Sequence, residues 1–459
     1  MTATDLPYDL PDDLPDQGLM RRCPSFADAE RLARSRLPAF LEGYLSGASD
    51  GEEGLLRNRR AFEAITLTPR YGIDVEHCDP STTLLGKRWA VPVGVAPVGY
   101  GGSFWPDCEL HLARAAARHN LPFIASTVSV RAIEEIAAAG SGNVWFQLYV
   151  VDEQAINEDL LKRSSAAGID TLVVTVDVPL YSKRNRDLRN AMSFPFHVRP
   201  VHLWHMAVRP AWTLATLSRR LPTIANFLPY IDPRKDRDSQ LADIIRQRNP
   251  ATWEQLAGLR RRWPGKLLVK GILEVGDARQ CVAAGADGII VSNHGARQFD
   301  AAPAAIDALP AIVDAIADRA AVIVDSGIRG GYRRVARHGA GGRFLPCRAA
   351  LLLDGRRLRR PRRGPRHAPL PLRNPPRPGP GWAPGDRRPR GNQGAAGRVT
   401  RLSCPHLLRA SMNTLIGKVA PAVAVDCRDE PGNDKVGGGA SPTFASAPAR
   451  CRRRSGRCR

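Results

Sequence analysis

Apolar residues come in short runs from about residue 90 onward, and helix-like stretches separate most of them. The runs are VPVGVAP (91–97), PFIAS (122–126), VWFQLYV (144–150), TLVVTVD (171–177), KLLVKG (266–271), DGIIVSNH (287–294) and AAVIVDSG (320–327). Consecutive apolar positions over so short a length predict strands buried on both faces, as in a parallel sheet. Between them, segments such as Glu109–His119, Arg131–Ala139 and Glu274–Ala284 read as helices. Strand and helix alternating in this way predict an α/β fold. Seven strand units are legible, whereas a closed (β/α)8 TIM barrel needs eight. Upstream, Phe26–Tyr44 reads as helix, with Leu37-Pro38 marking a boundary inside it.

One connection is far longer than a crossover requires: almost the whole span from Asp177 to Lys266 is an insertion after strand four. It contains HLWHMAVRPAWTLATLSRRLPTIANFLPYI, which is apolar, aromatic and basic at once, with Trp204, Trp212, Arg209, Arg219 and Arg220. Two readings stay open, a lid packed over the barrel and a peripheral membrane contact through 200–231.

Charge divides the chain more sharply than hydropathy does. The 459 residues carry a formal charge of +22, which would suggest a nucleic-acid or anionic-surface binder. Residues 331–459, however, hold 29 Lys+Arg against 6 Asp+Glu, and residues 1–330 hold 38 against 39. The basic excess therefore belongs to the tail, which lacks the aromatic interleaving of a nucleic-acid platform, so nucleic acid is disfavoured as a partner. Three segments follow: an acidic, proline-rich lead over 1–22 expected to be disordered, a nearly neutral body over 23–330, and an Arg/Pro-rich low-complexity tail over 331–459. No apolar stretch is long enough to span a membrane, and the acidic N-terminus does not read as a signal peptide. Cys23, Cys78, Cys108 and Cys281 are scattered without a CxxC pair. They read as reduced thiols of a cytoplasmic protein, with no metal site.

Polar residues gather at the C-terminal ends of the predicted strands, where barrel enzymes keep their sites. They are Gln147 and Tyr149; Thr175 and Asp177; Lys270; Ser292, Asn293 and His294; and Asp325. Within SNHGARQ (292–298), a histidine and an arginine lie three residues apart and offer a base and a carboxylate anchor. Guanidinium groups bind carboxylates bidentately, so Arg297 and Arg184 suit an anionic substrate.

With these come LP and Tyr44 at 37–44, APVG at 96–99, STVS at 126–129, WFQLYV at 145–150, TVD at 175–177, LVKG at 268–271 and DSGIR at 325–329. Over about residues 25–330 the chain resembles the FMN-dependent 2-hydroxy acid oxidases and dehydrogenases. FWP at 104–106, RDLRN at 186–190 and the WTL…ANF pattern lean to the mandelate branch, while STVSV and APVG also occur in the lactate branch. The resemblance implies FMN and oxidation of an (S)-2-hydroxy acid, lactate- or mandelate-like, to the 2-oxo acid. It implies His294 as the base, Asp177 as the carboxylate stabilising its imidazolium, Arg184 and Arg297 as carboxylate anchors, and Tyr44 and Tyr149 as phenols on the substrate. Lys270 would lie beside the flavin N1–C2 edge, raising its affinity for electrons. Ser126, Gln147, Thr175 and Ser292, with Pro97, Val98 and Gly99, would meet the flavin and ribityl groups. Asp325, Gly327 and Arg329 would begin the ribityl and phosphate site. Gly99 and Val128 fit the dehydrogenases better than the oxidases. The basic, aromatic character of the long insertion would suit a quinone or another electron acceptor and contact with the inner face of the cell membrane, and a homotetramer is a further implication of the resemblance.

After DSGIR the resemblance stops. The family continues with a helix and an eighth strand whose Gly-Arg holds the FMN phosphate. Here 16 prolines and 27 arginines fill 129 residues, a composition that neither helix nor sheet can use. An out-of-frame reading of a GC-rich gene gives such a product. A genuine basic tail binding nucleic acid or acidic lipid, and an unrelated fused segment, are the alternatives. Without strand eight the barrel is expected to be incomplete and FMN binding weakened, so an inactive remnant of the family stands as the alternative function.

Overall fold

The computed structural model describes residues 23, 25–68, 71–72, 79–193, 196–219, 222–246, 251–329, 353–354 and 399–401. Six parallel strands run in chain order: β1 (Phe123–Ser126), β2 (Val144–Leu148), β3 (Thr171–Thr175), β4 (Lys266–Ile272), β5 (Gly288–Val291) and β6 (Ala321–Val324). Helices pack on their outer face: α1 (Phe26–Arg36), α2 (Ala39–Ser46) and α3 (Glu53–Glu63) precede the sheet, and α4 (Cys108–Arg118) leads into β1. Next come α5 (Ile133–Gly140) and α6 (Gln154–Ala166), followed, in the insertion, by α7 (Pro200–Ala207), α8 (Pro210–Leu217), α9 (Arg237–Arg246) and α10 (Trp253–Arg262). Helices α11 (Val275–Ala283) and α12 (Ala305–Ile316) separate the last strands. The break between α1 and α2 falls at Leu37-Pro38, as the backbone restriction before proline requires.

The sheet has two apolar faces, and side chains alternate between them. One set, including Phe146, Leu172, Val174, Val269, Val291 and Val324, packs on the helices. The other set, Ile124, Trp145, Val173, Leu268, Ile290 and Ile323, forms a separate inner cluster. That cluster is closed below by Leu84 and Trp89 of an antiparallel hairpin, Thr82–Leu84 with Lys87–Trp89. Two residues further along each strand, the same inward face carries Ser126, Gln147, Thr175, Lys270, Ser292 and Asp325.

The run at 91–97 was expected as the first strand, but it pairs only through one bridge, Val95 with Phe123. Val95 N–H donates to Pro122 O (2.8 Å) and its carbonyl accepts from Ile124 N–H (3.0 Å). Pro92 and Pro97 have no N–H to extend the ladder, and a Cβ at Gly94 would stand 2.6 Å from the Pro122 ring.

The lead over 1–22 and almost all of 331–459 lie outside the described residues. No strand was expected in the tail, yet two short ones are described there. Leu353–Asp354 runs antiparallel to β6, and Val399–Arg401 runs parallel to Thr66–Thr68. The N–H and C=O row of an otherwise unpaired edge accepts such a strand whatever its direction. Among the described residues no pairing joins β6 back to the 91–97 segment, so the ring of strands is open there. Among them, too, no helix is long and apolar enough to cross a membrane.

The insertion is docked on one face and bare on the other. Asn226, fully buried, accepts from Ile133 N–H (2.9 Å) and donates to Thr127 O (3.0 Å), which joins the insertion to the loop after β1. Buried Trp212 donates to Ser103 O (3.1 Å), and Phe40 of α2 stacks on Phe196 at 5.1 Å. Arg209 donates to Leu37 O and Arg219 pairs with Asp107, while Arg220 lies outside the described residues. Asn226→Ala would strand the Ile133 donor and the Thr127 acceptor in the interior. It should lower unfolding stability by about 1–3 kcal/mol, read as a lower urea midpoint at unchanged slope; an unchanged midpoint would refute this docking.

Candidate active site

The inward polar layer opens into a cavity of about 420 Å3 at the C-terminal ends of the strands. At its floor the Lys270 ammonium donates to Ser292 Oγ (2.6 Å) and pairs with Asp325 Oδ2 (3.0 Å). Burial works to lower its pKa, but Asp325 and then Asp177 outweigh it, and the group stays charged with its pKa above the usual lysine value. Ser126 Oγ donates to Gln147 Oε1 (3.0 Å). The other end of that amide, Gln147 Nε2, is buried without a partner among the described residues, and so is Thr175 Oγ1. Buried polar groups are rarely left unmet, and these two, Thr175 on the cavity lining and Gln147 behind Ser126, fit a polar ligand above them.

His294 stands over this floor. Its Nδ1–H donates to Asp177 Oδ1 (2.9 Å), and the Tyr149 hydroxyl lies 3.5 Å from Nε2. This hydrogen bond fixes the tautomer, leaving Nε2 as the basic nitrogen. Burial lowers the imidazole pKa most; Asp177 raises it, Lys270 and Arg297 lower it, and the result lies below the ordinary histidine value. For Asp177, burial raises the pKa, but His294 and Lys270 more than offset this and hold the carboxyl ionised.

Two guanidinium groups flank the Tyr44 ring. Arg297 lies 4.7 Å and Arg184 5.6 Å from the ring centroid. Arg297 Nη1 donates to Tyr44 O and to Gly47 O (3.0 Å), which orients the group and leaves Nε–H and the Nη2 hydrogens for other partners. Arg184 donates from Nε to Ser182 Oγ (3.2 Å) and lies 3.6 Å from Asp187. Burial, reinforced by the charge of Arg184, pulls the Arg297 pKa down to about 10. An anion received between these cations would relieve their mutual repulsion.

Every expected site residue comes to this mouth. All line the cavity except Asp177, Gln147 and Ser292, and each of these stands one hydrogen bond behind it, on His294, Ser126 and Lys270 respectively. Pro97, Val98 and Gly99 form one wall, where a Cβ at Gly99 would stand 2.6 Å from Val128 Cγ2. At the opposite end, past Gly327, Arg329 pairs with Glu30 of α1 (2.8 Å) and lies over the Phe26 ring. Sequence reading missed the serines that hold the histidine turn: Ser326 Oγ accepts from Gly295 N–H (3.0 Å), and Ser49 Oγ donates to Ala296 O (2.8 Å). Nothing in the local pattern marks either, because Ser49 meets its partner across 247 positions.

The sequence profile of the FMN-dependent dehydrogenases matches residues 33–342. An L-lactate dehydrogenase from Caulobacter vibrioides is 40% identical over 309 residues, covering 67% of this chain and 80% of the relative. An (S)-mandelate dehydrogenase from Pseudomonas putida is 36% identical over 305 residues, covering 66% and 76%. Among solved structures, that of the monotopic membrane protein (S)-mandelate dehydrogenase superposes with a TM-score of 0.64 at 35% identity, covering 67% of this chain and 82% of that one.

The depressed pKa of His294 has a definite sign in pH. The unfolded chain takes up a proton at a pH where the folded site does not. The contribution to stability is therefore present above the unfolded histidine value and lost as pH falls through the folded one. An NMR titration of the His294 ring should find its midpoint below the usual 6.5. Asp177→Asn removes a partner that raises the value and should move the midpoint lower still. An upward move in that variant would contradict the pairing.

Proposed function

Because the chain belongs to the FMN-dependent dehydrogenase family, we propose that it oxidises an (S)-2-hydroxy acid, lactate- or mandelate-like, to the 2-oxo acid with His294 as the base. The observation that carries this is a neutral imidazole, backed by a buried carboxylate, facing a cavity that two arginines share. The residues fit FMN at its flavin end. Gln147 Nε2 and Thr175 Oγ1 lack partners that a flavin edge could supply, and the Lys270 cation is held charged beside them. Ser126, Ser292 and the Pro97–Gly99 wall would complete that end, with Asp325, Gly327 and Arg329 toward the ribityl and phosphate groups. When bound, FMN supplies the two-electron acceptor that the oxidation of an alcohol to a ketone requires.

The substrate carboxylate is received by Arg297 and Arg184, with Tyr44 between them. Arg297 is already oriented by two carbonyls, so little order remains to be imposed when the anion arrives. Held in this way, the hydroxyl-bearing carbon is presented to His294 Nε2, and Tyr149, close to the same nitrogen, hydrogen-bonds the hydroxyl. Nε2 takes up the proton released in the oxidation, and Asp177 stabilises the imidazolium without accepting the proton itself. Lys270, tied to Asp325 and Ser292, keeps a fixed positive charge at the floor throughout.

A second observation concerns the partner. Helices α7 and α8 bury His202, Trp212 and Thr216, while Leu203, Trp204, Leu214 and Leu217 on their other face are more than half exposed. Exposed Arg199 immediately precedes α7, while Arg209 and Arg219 are engaged with Leu37 O and Asp107. We read the segment 200–231 as a peripheral membrane contact that would bring the site to a membrane-borne electron acceptor such as a quinone.

Both readings are open to direct measurement. The purified full chain, supplied with FMN, should reduce a dye acceptor with (S)-lactate or (S)-mandelate. His294→Ala should lower kcat by roughly 10²–10⁴-fold. Arg297→Ala should cost about 2–5 kcal/mol in kcat/KM, and turnover by either variant at the wild-type rate would overturn the assignment. Vesicles rich in anionic lipid should sediment the protein, and Trp204→Ser with Leu214→Ser should abolish this; a wild-type chain that stays in the supernatant would end the membrane reading.

A further inference from the structure

The turn that carries His294 has a backbone that side chains rarely adopt. φ is +55° at His294, +65° at Gly295 and +60° at Ala296, three left-handed residues in succession, two of which carry a Cβ. Such a turn persists only where its surroundings over-determine it. Its own polar groups are met one by one. His294 N–H donates to Ser292 Oγ (3.0 Å), Gly295 N–H to Ser326 Oγ (3.0 Å), and Ala296 N–H is shared between the Asn293 carbonyl (2.8 Å) and Asn293 Oδ1 (3.2 Å). Ser292 and Ser326 are short side chains fixed on strand ends, but the Asn293 amide can rotate.

What stops that rotation comes from α3, 235 positions earlier. Asn58 Nδ2 donates to Asn293 Oδ1 (2.9 Å), and Asn293 Nδ2 donates back to Asn58 Oδ1 (2.8 Å) and to Pro303 O (3.0 Å). Flipping one amide alone would set like groups against each other, and flipping both would turn Asn293 Nδ2 toward Ala296 N–H and its oxygen toward Pro303 O, so one arrangement satisfies all of these groups, and both side chains are buried. Helix α3 is fastened to the same loop by Gly54 N–H to Asp300 Oδ1 (2.7 Å) and by Arg57 to the carbonyls of Asp300 and Ala302 (both 2.8 Å). Asn58 also packs against Gly327, where a Cβ would stand 2.9 Å from the Asn58 backbone carbonyl oxygen.

We propose that Asn58 is a positioning residue for the base: through its reciprocal amide pair it locks Asn293, which holds the left-handed turn and so the direction in which His294 meets Asp177. The inference rests on His294 being the base of the proposed oxidation. It does not require Asn58 to touch substrate or FMN.

The test is a double-mutant cycle with two readouts. Asn58→Ala should lower kcat roughly 10- to 100-fold while KM, set by the untouched arginines, moves within about threefold. In protein labelled with 15N-histidine, the downfield His294 Nδ1–H signal should shift or broaden in the same variant. Both changes should vanish when Asn58→Ala is added to Asn293→Ala, because the effect passes through that amide. Asn58→Leu, similar in volume, serves equally if the smaller side chain prevents folding, and Ile312→Ala in α12 controls for lost stability alone. Additive losses in the cycle, or an unmoved His294 signal with unchanged kcat, would overturn the proposal. The NMR arm needs no substrate. A wild-type protein that oxidises no 2-hydroxy acid, yet shows the coupled His294 signal, would sink the proposed function and leave the positioning role supported.

Discussion

The Lys270 ammonium sits 4% exposed at the top of the inner core, and its charge must be compensated there or lost. Taking such an ion out of water costs several kcal/mol even after relaxation, and only close, well-directed partners offset it. Those partners come from beyond the strand ends: Ser292 just past the neighbouring β5, Asp325 just past β6 one strand further on, and Asp177 from beyond β3. Once Asp177 is ionised it can hold the Nδ1–H of His294, and once Lys270 and Arg297 are charged they oppose protonation of the same ring. Burial is the largest cause of the depressed pKa of the base, and Lys270 and Arg297 add to it, while Asp177, held ionised by His294 and Lys270, fixes its tautomer.

Strand alternation explains why so much of this was legible. A fully buried strand with period two must place every second side chain inward, so a polar residue just past an inward Ile, Val, Leu or Trp stands on the layer that faces the cavity. Ile124 then Ser126, Trp145 then Gln147, Val173 then Thr175, Leu268 then Lys270, Ile290 then Ser292, and Ile323 then Asp325 repeat that step six times. The same logic misled at 91–97, where the composition is apolar but Pro92 and Pro97 withhold the donors a ladder needs. It was silent on Asn58, Asn226 and Ser49. Each is an ordinary polar residue in its local pattern, and its meaning lies in a partner 93 to 247 positions away.

The insertion could be read two ways from its composition, and its packing bears on each. Trp212, His202 and Asn226 turn inward and tie the segment to α2 and to the loops after β1, as a lid requires. Trp204 and Leu214, drawn from the same run of apolar residues, turn outward. An amphipathic helix normally hides one face and shows a polar one; this pair hides one apolar face and shows another, which is the surface the proposed membrane contact would cover.

The two ends of the cavity differ in what already occupies their charges. At the base end Lys270 is paired with Asp325 and His294 with Asp177, each across an intervening strand, before any ligand arrives. At the far end Arg329 is held by Glu30, a carboxylate from α1, and over Phe26 of the same helix. A phosphate received at Arg329 would therefore meet a negative charge already in place. Either the guanidinium serves both anions through different nitrogens, or α1 must give up the contact that docks its first turns. The chemistry of the base end and the affinity for a phosphate-bearing cofactor are consequently separable properties of this chain. The first depends on β3 to β6 and the turn after β5; the second, on the proposed reading of Arg329, would turn on how firmly α1 holds that guanidinium.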